Sequence, residues 1–327
     1  MEKIHLVSLF PADAGSWELG PFNAFLKSAK TSSKYELVSG PHEADLIFFT
    51  DEGRHGLNDV YNTPLYREFW DRCFIFSQRD RPIPLIPGLY SSIEQGDYDW
   101  DWCRSGFYAR EYKFDQGQRC ITQYDQIPFR ASAKYLCSFA GSCQNARIRA
   151  KLKEINCPRF LVIDVNRETN VANTKGDQKW INRLRAQFIE LLRDSKFSLC
   201  PRGVGTNSIR LYESMALGRA PVILSDHWVA PMEIPWDDFS IRIAERDYKL
   251  IPRILERVEH RAEEFGQRAR RAWEQYFQPA VVFDRAVSTF FDIRASGRTT
   301  KWHKHQFRRL RMLPKILRCT LRAARVR

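Results

Sequence analysis

Short hydrophobic runs recur along the chain, separated by segments whose polar positions suit helices or turns. Residues 4–10, 35–38, 45–50, 73–77 and 84–89 are rich in β-branched and aromatic side chains and predict strands. Each stops at polar or turn-forming residues: PADAG, SGPHEA, DEGRHG, QRDRP and GLYSS. Residues 135–140, 160–164, 197–200, 220–224 and 239–243 predict a second set, separated by helical patterns over residues 179–193, 208–217 and 248–276. Strands alternating with helices belong to parallel, doubly wound sheets, so the fold class is α/β with two Rossmann-like halves. The halves meet near residues 130–134, which gives domains of residues 1–133 and 134–292, followed by a segment of residues 293–327. Residues 96–125 are aromatic and charged without a clear period and read as a long excursion. The carboxyl ends of strands in such sheets face the ligand crevice, which places Asp13, Asp51, Glu52, His55 and Asp80 there.

Composition adds bounds. A chain of 327 residues with 43% hydrophobic and 13% aromatic residues can fill two cores. No stretch approaches the ~20 apolar residues of a spanning helix. The opening MEKIHLVSLFPADAG reads as a first strand and not as a signal peptide, so a cytoplasmic location is expected. Eight cysteines show neither a CxxC pair nor metal-ligand spacing with histidine, so free thiols are expected and no metal site.

The formal net charge of +13 resolves into a neutral body and a basic tail. Residues 293–327 hold twelve Lys or Arg and no acid, leaving 40 basic against 39 acidic residues elsewhere. Within this tail Phe307, Leu310, Leu313, Leu317 and Leu321 fall at helical spacing, interrupted at Pro314. One reading is an interfacial helix on an anionic membrane leaflet; the other is a helix packing its leucines across the two lobes. No recognisable nucleic-acid motif accompanies the charge.

The segment SKFSLCPRGVGTNSIRLYESMALGRAPVILSD, residues 195–226, carries the chemistry. It reads as strand, loop, helix, strand. Pro201 stops the first strand, Gly203 and Gly205 let the backbone turn and approach a ligand, and Thr206, Asn207 and Ser208 are possible helix N-caps. A helix N-terminus there offers backbone N–H groups and the positive end of the macrodipole, which suit a diphosphate. Arg202 adds a permanent cation with bidentate geometry. Arg210 and Glu213 share a helix face, and the glutamate could accept ribose hydroxyls. The plainer alternative is that Arg210 and Glu213 pair on a solvated helix and the glycines only shape a βα turn. Neither GxxxxGK[ST] nor GxGxxG is matched.

This segment resembles the hallmark of the exostosin family, glycosyltransferase family 47. The matching positions are Ser195, Lys196, Phe197, Leu199, Cys200, Pro201, Gly203, Ser208, Arg210, Leu211, Glu213, Gly218, Pro221, Val222, Ile223, Ser225 and Asp226. Further likeness lies in KYLCSFAGS (residues 134–142), ADLIFFT (residues 44–50) and PMEIPWDDFSIRI (residues 231–243). The resemblance implies a GT-B architecture, two Rossmann-like domains facing across a crevice, with Arg202, Gly203, Gly205, Ser208, Arg210, Glu213 and Asp226 binding the donor. It further implies an inverting glycosyltransferase moving a sugar from a nucleoside-diphosphate donor to a glycan or glycolipid hydroxyl in cell-surface polysaccharide synthesis. Asp51 and Asp80 are the candidate bases, and no cofactor is implied beyond the nucleotide-sugar co-substrate. The better-known animal and plant members carry an N-terminal anchor, so this chain looks like the bacterial-type proteins working in the cytoplasm, peripheral at the inner membrane face. The rival class is an inactive transferase-like protein that binds anionic membrane or nucleic acid through its tail.

DYDWDW, residues 97–102, contains overlapping DxD triplets that could bind a cation through oxygen. It follows a turn-like segment and not a buried strand, which favours a role lining an acceptor cleft over metal binding.

Overall fold

The computed structural model describes residues 1–11, 19–51, 60–109, 111–112, 119–120, 125–165 and 178–324. Asp13, Glu52 and His55 lie outside them. The strands are β1 (Glu2–Ser8), β2 (Tyr35–Leu37), β3 (Leu46–Asp51), β4 (Cys73–Ser77), β5 (Gly88–Tyr90), β6 (Cys103–Ser105), β7 (Glu111–Tyr112), β8 (Arg119–Cys120), β9 (Tyr135–Gly141), β10 (Phe160–Asp164), β11 (Ser195–Pro201), β12 (Ala220–Leu224) and β13 (Ile241–Arg242). The α-helices are α1 (Gly20–Ala29), α2 (Pro64–Glu68), α3 (Arg147–Leu152), α4 (Gln178–Arg193), α5 (Ile209–Ala216), α6 (Ile251–Val258), α7 (Ala262–Tyr276), α8 (Val282–Ala295) and α9 (Trp302–Ala324).

Two compact units result, Met1–Tyr112 with Pro279–Arg327, and Lys113–Gln278. Each is built on a parallel sheet flanked by helices. The first has the order β2-β1-β3-β4-β5-β6 and the second β10-β9-β11-β12-β13. Adjacent strands are parallel throughout both sheets. In each, the first strand in sequence lies between the second and the third, so the strand order reverses there, at a topological switch point.

In the first unit β3 and β4 are buried at every position. Their apolar runs, LIFFTD and CFIFS, suit strands covered on both faces. Phe48, Phe74 and Phe76 meet Phe25 of α1 and Phe290 of α8, with ring centroids 4.7–5.4 Å apart. The opposite face carries Ile75, Ser77 and Asp51. Expected strand 84–89 begins only at Gly88, because Pro84 and Pro87 cannot donate to a ladder. β6 lay hidden in the aperiodic stretch because three residues are too few to show a period.

The unit boundaries differ from the expected 133/134 and 292/293. α8 returns to the first unit, burying Phe283, Ala286, Val287, Phe290 and Ile293, so a cut at residue 292 would split one helix. Residues 127 and 128 are tied into the second unit by Arg219, 1% exposed. Its guanidinium donates to the carbonyls of Leu192, Ser195, Ile127, Gly218 and Pro128 at 2.7–3.2 Å. Burial pushes this group down to about 10.

The second core has two parts. One gathers Cys137, Phe139, Phe197, Leu199, Ile251 and Phe265; the other gathers Ala140, Phe188, Leu191, Leu192 and Leu217. The helical pattern over residues 248–276 forms separate helices, α6 starting with Pro252 in its first turn and α7 following a 3-10 turn at Glu259–Arg261. Gly218 closes α5 with φ +75°, as expected of a left-handed C-terminal position. Gly266 of α7 packs so closely that a Cβ there would lie 2.5 Å from the Gly218 carbonyl oxygen.

Candidate functional site

In the second unit the switch point lies between β9 and β11. The chain leaves β9 at Gly141 and β11 at Pro201. Arg149 of α3, 7% exposed, holds the two exits together. Its Nε donates to the Arg202 carbonyl at 2.8 Å, Nη1 to the Ser142 carbonyl at 3.2 Å and Nη2 to the Pro201 carbonyl at 3.1 Å. Nothing in the sequence marks Arg149 out from its many basic neighbours.

The loop from Arg202 leads to α5 over this gap. Gly205, Thr206, Asn207 and Ser208 are buried, Arg202 and Gly203 half-buried and Val204 exposed. Neither Gly203 nor Gly205 has positive φ, which among the described residues belongs to Gly88, Gly218 and Gly297. Gly203 is thus not demanded by the turn itself, and a Cβ there would meet Arg149 Nη2 at an ordinary 3.5 Å.

Ser208 is the N-cap of α5, 5% exposed, with extended backbone. Its side chain caps nothing, and its Oγ is buried without a hydrogen-bond partner among the described residues. Asn207 is turned inward instead, its Oδ1 accepting from the Ser208 N–H at 2.7 Å and its Nδ2 donating to the Tyr212 hydroxyl at 3.0 Å.

The charged residues are more engaged than the sequence foretold. Arg202 Nε donates to Glu245 at 2.7 Å and Nη1 to the Gly203 carbonyl at 3.3 Å. Glu245 is a partner that sequence reasoning missed, lying 43 residues away. Asp226 is exposed and accepts from the Glu245 N–H at 2.9 Å, so it reaches Arg202 through Glu245. Arg210 donates to the Ala140 carbonyl at 2.9 Å, pairs with Glu213 and stacks over Phe188. The Arg210–Glu213 pair anticipated on a solvated helix does form, but Glu213 is only 6% exposed. Its hydrogen bond is made through Oε2. The Cys200 thiol, pushed up to about 12 by burial, is no nucleophile.

In the first unit the switch point lies between β1 and β3. A cavity at the carboxyl ends of β3, β4 and β5 is lined by Leu9, Asp51, Tyr61, Ser77, Arg79 and Tyr90, among others. Asp51, Ser77 and Tyr90 occupy matching positions on three adjacent strands. Asp51 accepts from Arg79 Nε at 2.7 and 2.9 Å and from Ser77 Oγ at 3.2 Å. Asp80 is exposed and does not line this cavity.

The acidic triplets of DYDWDW face cations from the same unit. Asp99 and Asp101 pair with Arg298, Asp99 also with Arg308, and Asp97 with Lys315. Trp102 is buried edge-on against His305, and Arg104 lies 3.8 Å over Trp100. Among the described residues no cluster of three His, Cys, Asp or Glu could hold a metal ion.

The family model for the exostosin GT47 domain matches residues 113–258, which contain the whole β9–β11–α5 arrangement. Over this segment the chain is similar to the exostosin GT47 domain. Exostosin-1 homolog of Caenorhabditis elegans is 34% identical over 111 residues, covering 33% of this chain and 29% of that protein. Probable glucuronoxylan glucuronosyltransferase IRX7 of Arabidopsis thaliana is 38% identical over 96 residues, covering 28% and 21%. The matched stretches thus span less than a third of these curated relatives. Among solved structures, a glycosyltransferase from Rickettsia africae aligns at TM-score 0.43 with 10% identity, covering 89% of this chain and 98% of that one.

Proposed function

We propose that the protein is a glycosyltransferase whose exostosin GT47 domain binds a nucleoside-diphosphate sugar at the N-terminus of α5 and passes the sugar to a glycan hydroxyl. One observation carries this reading: Ser208 Oγ is buried and unpartnered at the opening of a helix that starts over the switch point between β9 and β11. A buried hydroxyl without a partner forfeits hydrogen-bond energy, and a phosphate oxygen placed there would restore it. Arg202, its Nε held by Glu245 and its Nη1 on the Gly203 carbonyl, offers its remaining N–H donors to the diphosphate, and Glu213 Oε1 takes a ribose hydroxyl. In the transfer the acceptor oxygen bonds to the anomeric carbon as the bond to the diphosphate oxygen breaks. The acceptor proton passes to a carboxylate, and we assign Asp51, which lines the cavity of the first unit, ahead of the exposed Asp80.

The test is Ser208→Ala. With no partner to lose, the variant should melt at the wild-type temperature, while affinity for a nucleoside diphosphate, measured by titration calorimetry across the common bases, falls about fivefold to tenfold. Arg202→Ala should lose more, by a further factor of roughly ten. Unchanged binding in Ser208→Ala, or no binding of any nucleotide by the wild type, would remove the donor site from α5.

A further inference from the structure

α9 is turned the opposite way from most surface helices. Its inward side buries His305, Arg308 and Met312, at 0, 4 and 2% exposure. His305 Nδ1 lies 2.7 Å from the Tyr66 hydroxyl and Nε2 2.6 Å from the Thr299 carbonyl. Arg308 donates to the Pro84 carbonyl at 3.0 Å and the Asp97 carbonyl at 2.8 Å, and pairs with Asp99. Lys315 pairs with Asp97. The acidic run of residues 97–101 therefore consumes the inward cations. The apolar residues point out: Phe307 is 66% exposed, Leu310 63%, Leu313 38% and Leu317 59%. Arg309, Arg311 and Arg318 are also exposed, and no acid occurs anywhere on the helix.

We infer that this outward face of α9 seats the protein on an anionic lipid bilayer. A helix that only packed on its own unit would bury its leucines and expose its arginine, which is the reverse of what is found. At 100° per residue, Leu310, Leu313 and Leu317 form one stripe with Arg309 on one side and Arg311 and Arg318 on the other. Such a stripe enters the acyl boundary while the flanking guanidiniums meet anionic headgroups. A second copy of the same face would set arginine rows against each other, and a nucleic acid would leave the leucines in water. No helix among the described residues is long and apolar enough to cross a membrane, so the association is with the surface. The inference is independent of the donor site.

The experiment sediments the full chain with phosphatidylcholine vesicles, and with vesicles holding about one third phosphatidylserine, at ~0.1 M salt, where surface charges still act over about 10 Å. The wild type should bind the anionic vesicles and release at high salt. Arg311→Gln with Arg318→Gln should weaken binding roughly tenfold, and Leu310→Glu with Leu317→Glu by at least that much. Melting temperatures should be unchanged, since these side chains are solvent-exposed. Absence of binding to anionic vesicles overturns the inference, as does equal binding by either double variant. A wild-type dimer that the leucine variants dissolve, without vesicle binding, would assign the face to a second copy instead. Retention on duplex DNA with silence toward vesicles would assign it to nucleic acid.

Discussion

Glu259, in the 3-10 turn between α6 and α7, receives Arg159 through both Nη atoms and Lys196 at 2.6 Å. Arg159 stands just before β10 and Lys196 on β11, so one carboxylate ties two strands to the helical layer. Its pKa drops from 4.5 to about 2, chiefly through the Arg159 hydrogen bonds and then those of Lys196. At about 1.4 kcal/mol per unit this is ~3 kcal/mol. Because the Arg159 side chain is 40% exposed and Glu259 21%, screening reduces the expectation to about 2 kcal/mol. A depressed carboxylate pKa stabilises the fold above pH 4.5, and that stability is lost as pH falls toward 2. Glu259→Gln keeps the size and one acceptor but removes the charge. Hydrogen-exchange protection of β9 and β11 should then be about 2 kcal/mol lower than in the wild type at pH 7, roughly thirtyfold faster exchange, with more than half of the gap gone by pH 3. A gap that stays constant between pH 7 and pH 3, or one below about 0.5 kcal/mol at pH 7, would refute the reasoning.

Other perturbations follow from the same contacts. Arg149→Met strips donors from three loop carbonyls, so it should destabilise the second unit by about 2 to 3 kcal/mol in thermal melts and weaken nucleotide binding, while Arg149→Lys restores part of the stability but little of the affinity. Arg219→Leu should cost at least ~3 kcal/mol by the same measurement, because the Leu192, Ser195 and Ile127 carbonyls it serves belong to buried residues. Gly218→Ala forces a side chain into φ +75° and against Gln126, and a loss of about 1 to 2 kcal/mol is expected. Asp51→Asn should abolish glycosyl transfer while leaving nucleotide affinity at the wild-type value in calorimetry, and loss of both together would contradict its assignment to the acceptor proton.

Reading residues in order recovered what depends on local pattern. Buried parallel strands announce themselves as unbroken apolar runs, so β3, β4, β9, β11 and β12 were legible, as was the left-handed Gly218 closing α5. The exostosin GT47 match over residues 113–258 was legible for a related reason, since SKF, LxE and PVIxSD sit close together in the chain. Tertiary structure alone decided which distant groups meet. Glu245 holds Arg202 from 43 residues away, Arg149 joins the exits of β9 and β11, and Glu259 answers Lys196 of the SKF triplet. It also decided that residues 97–101 meet arginines and a lysine, and that α9 turns its leucines outward. Hydrogen bonds and ion pairs form between neighbours in space. A one-dimensional pattern records which residues are charged or apolar, whereas the fold determines which charges are neutralised and which apolar faces remain in water.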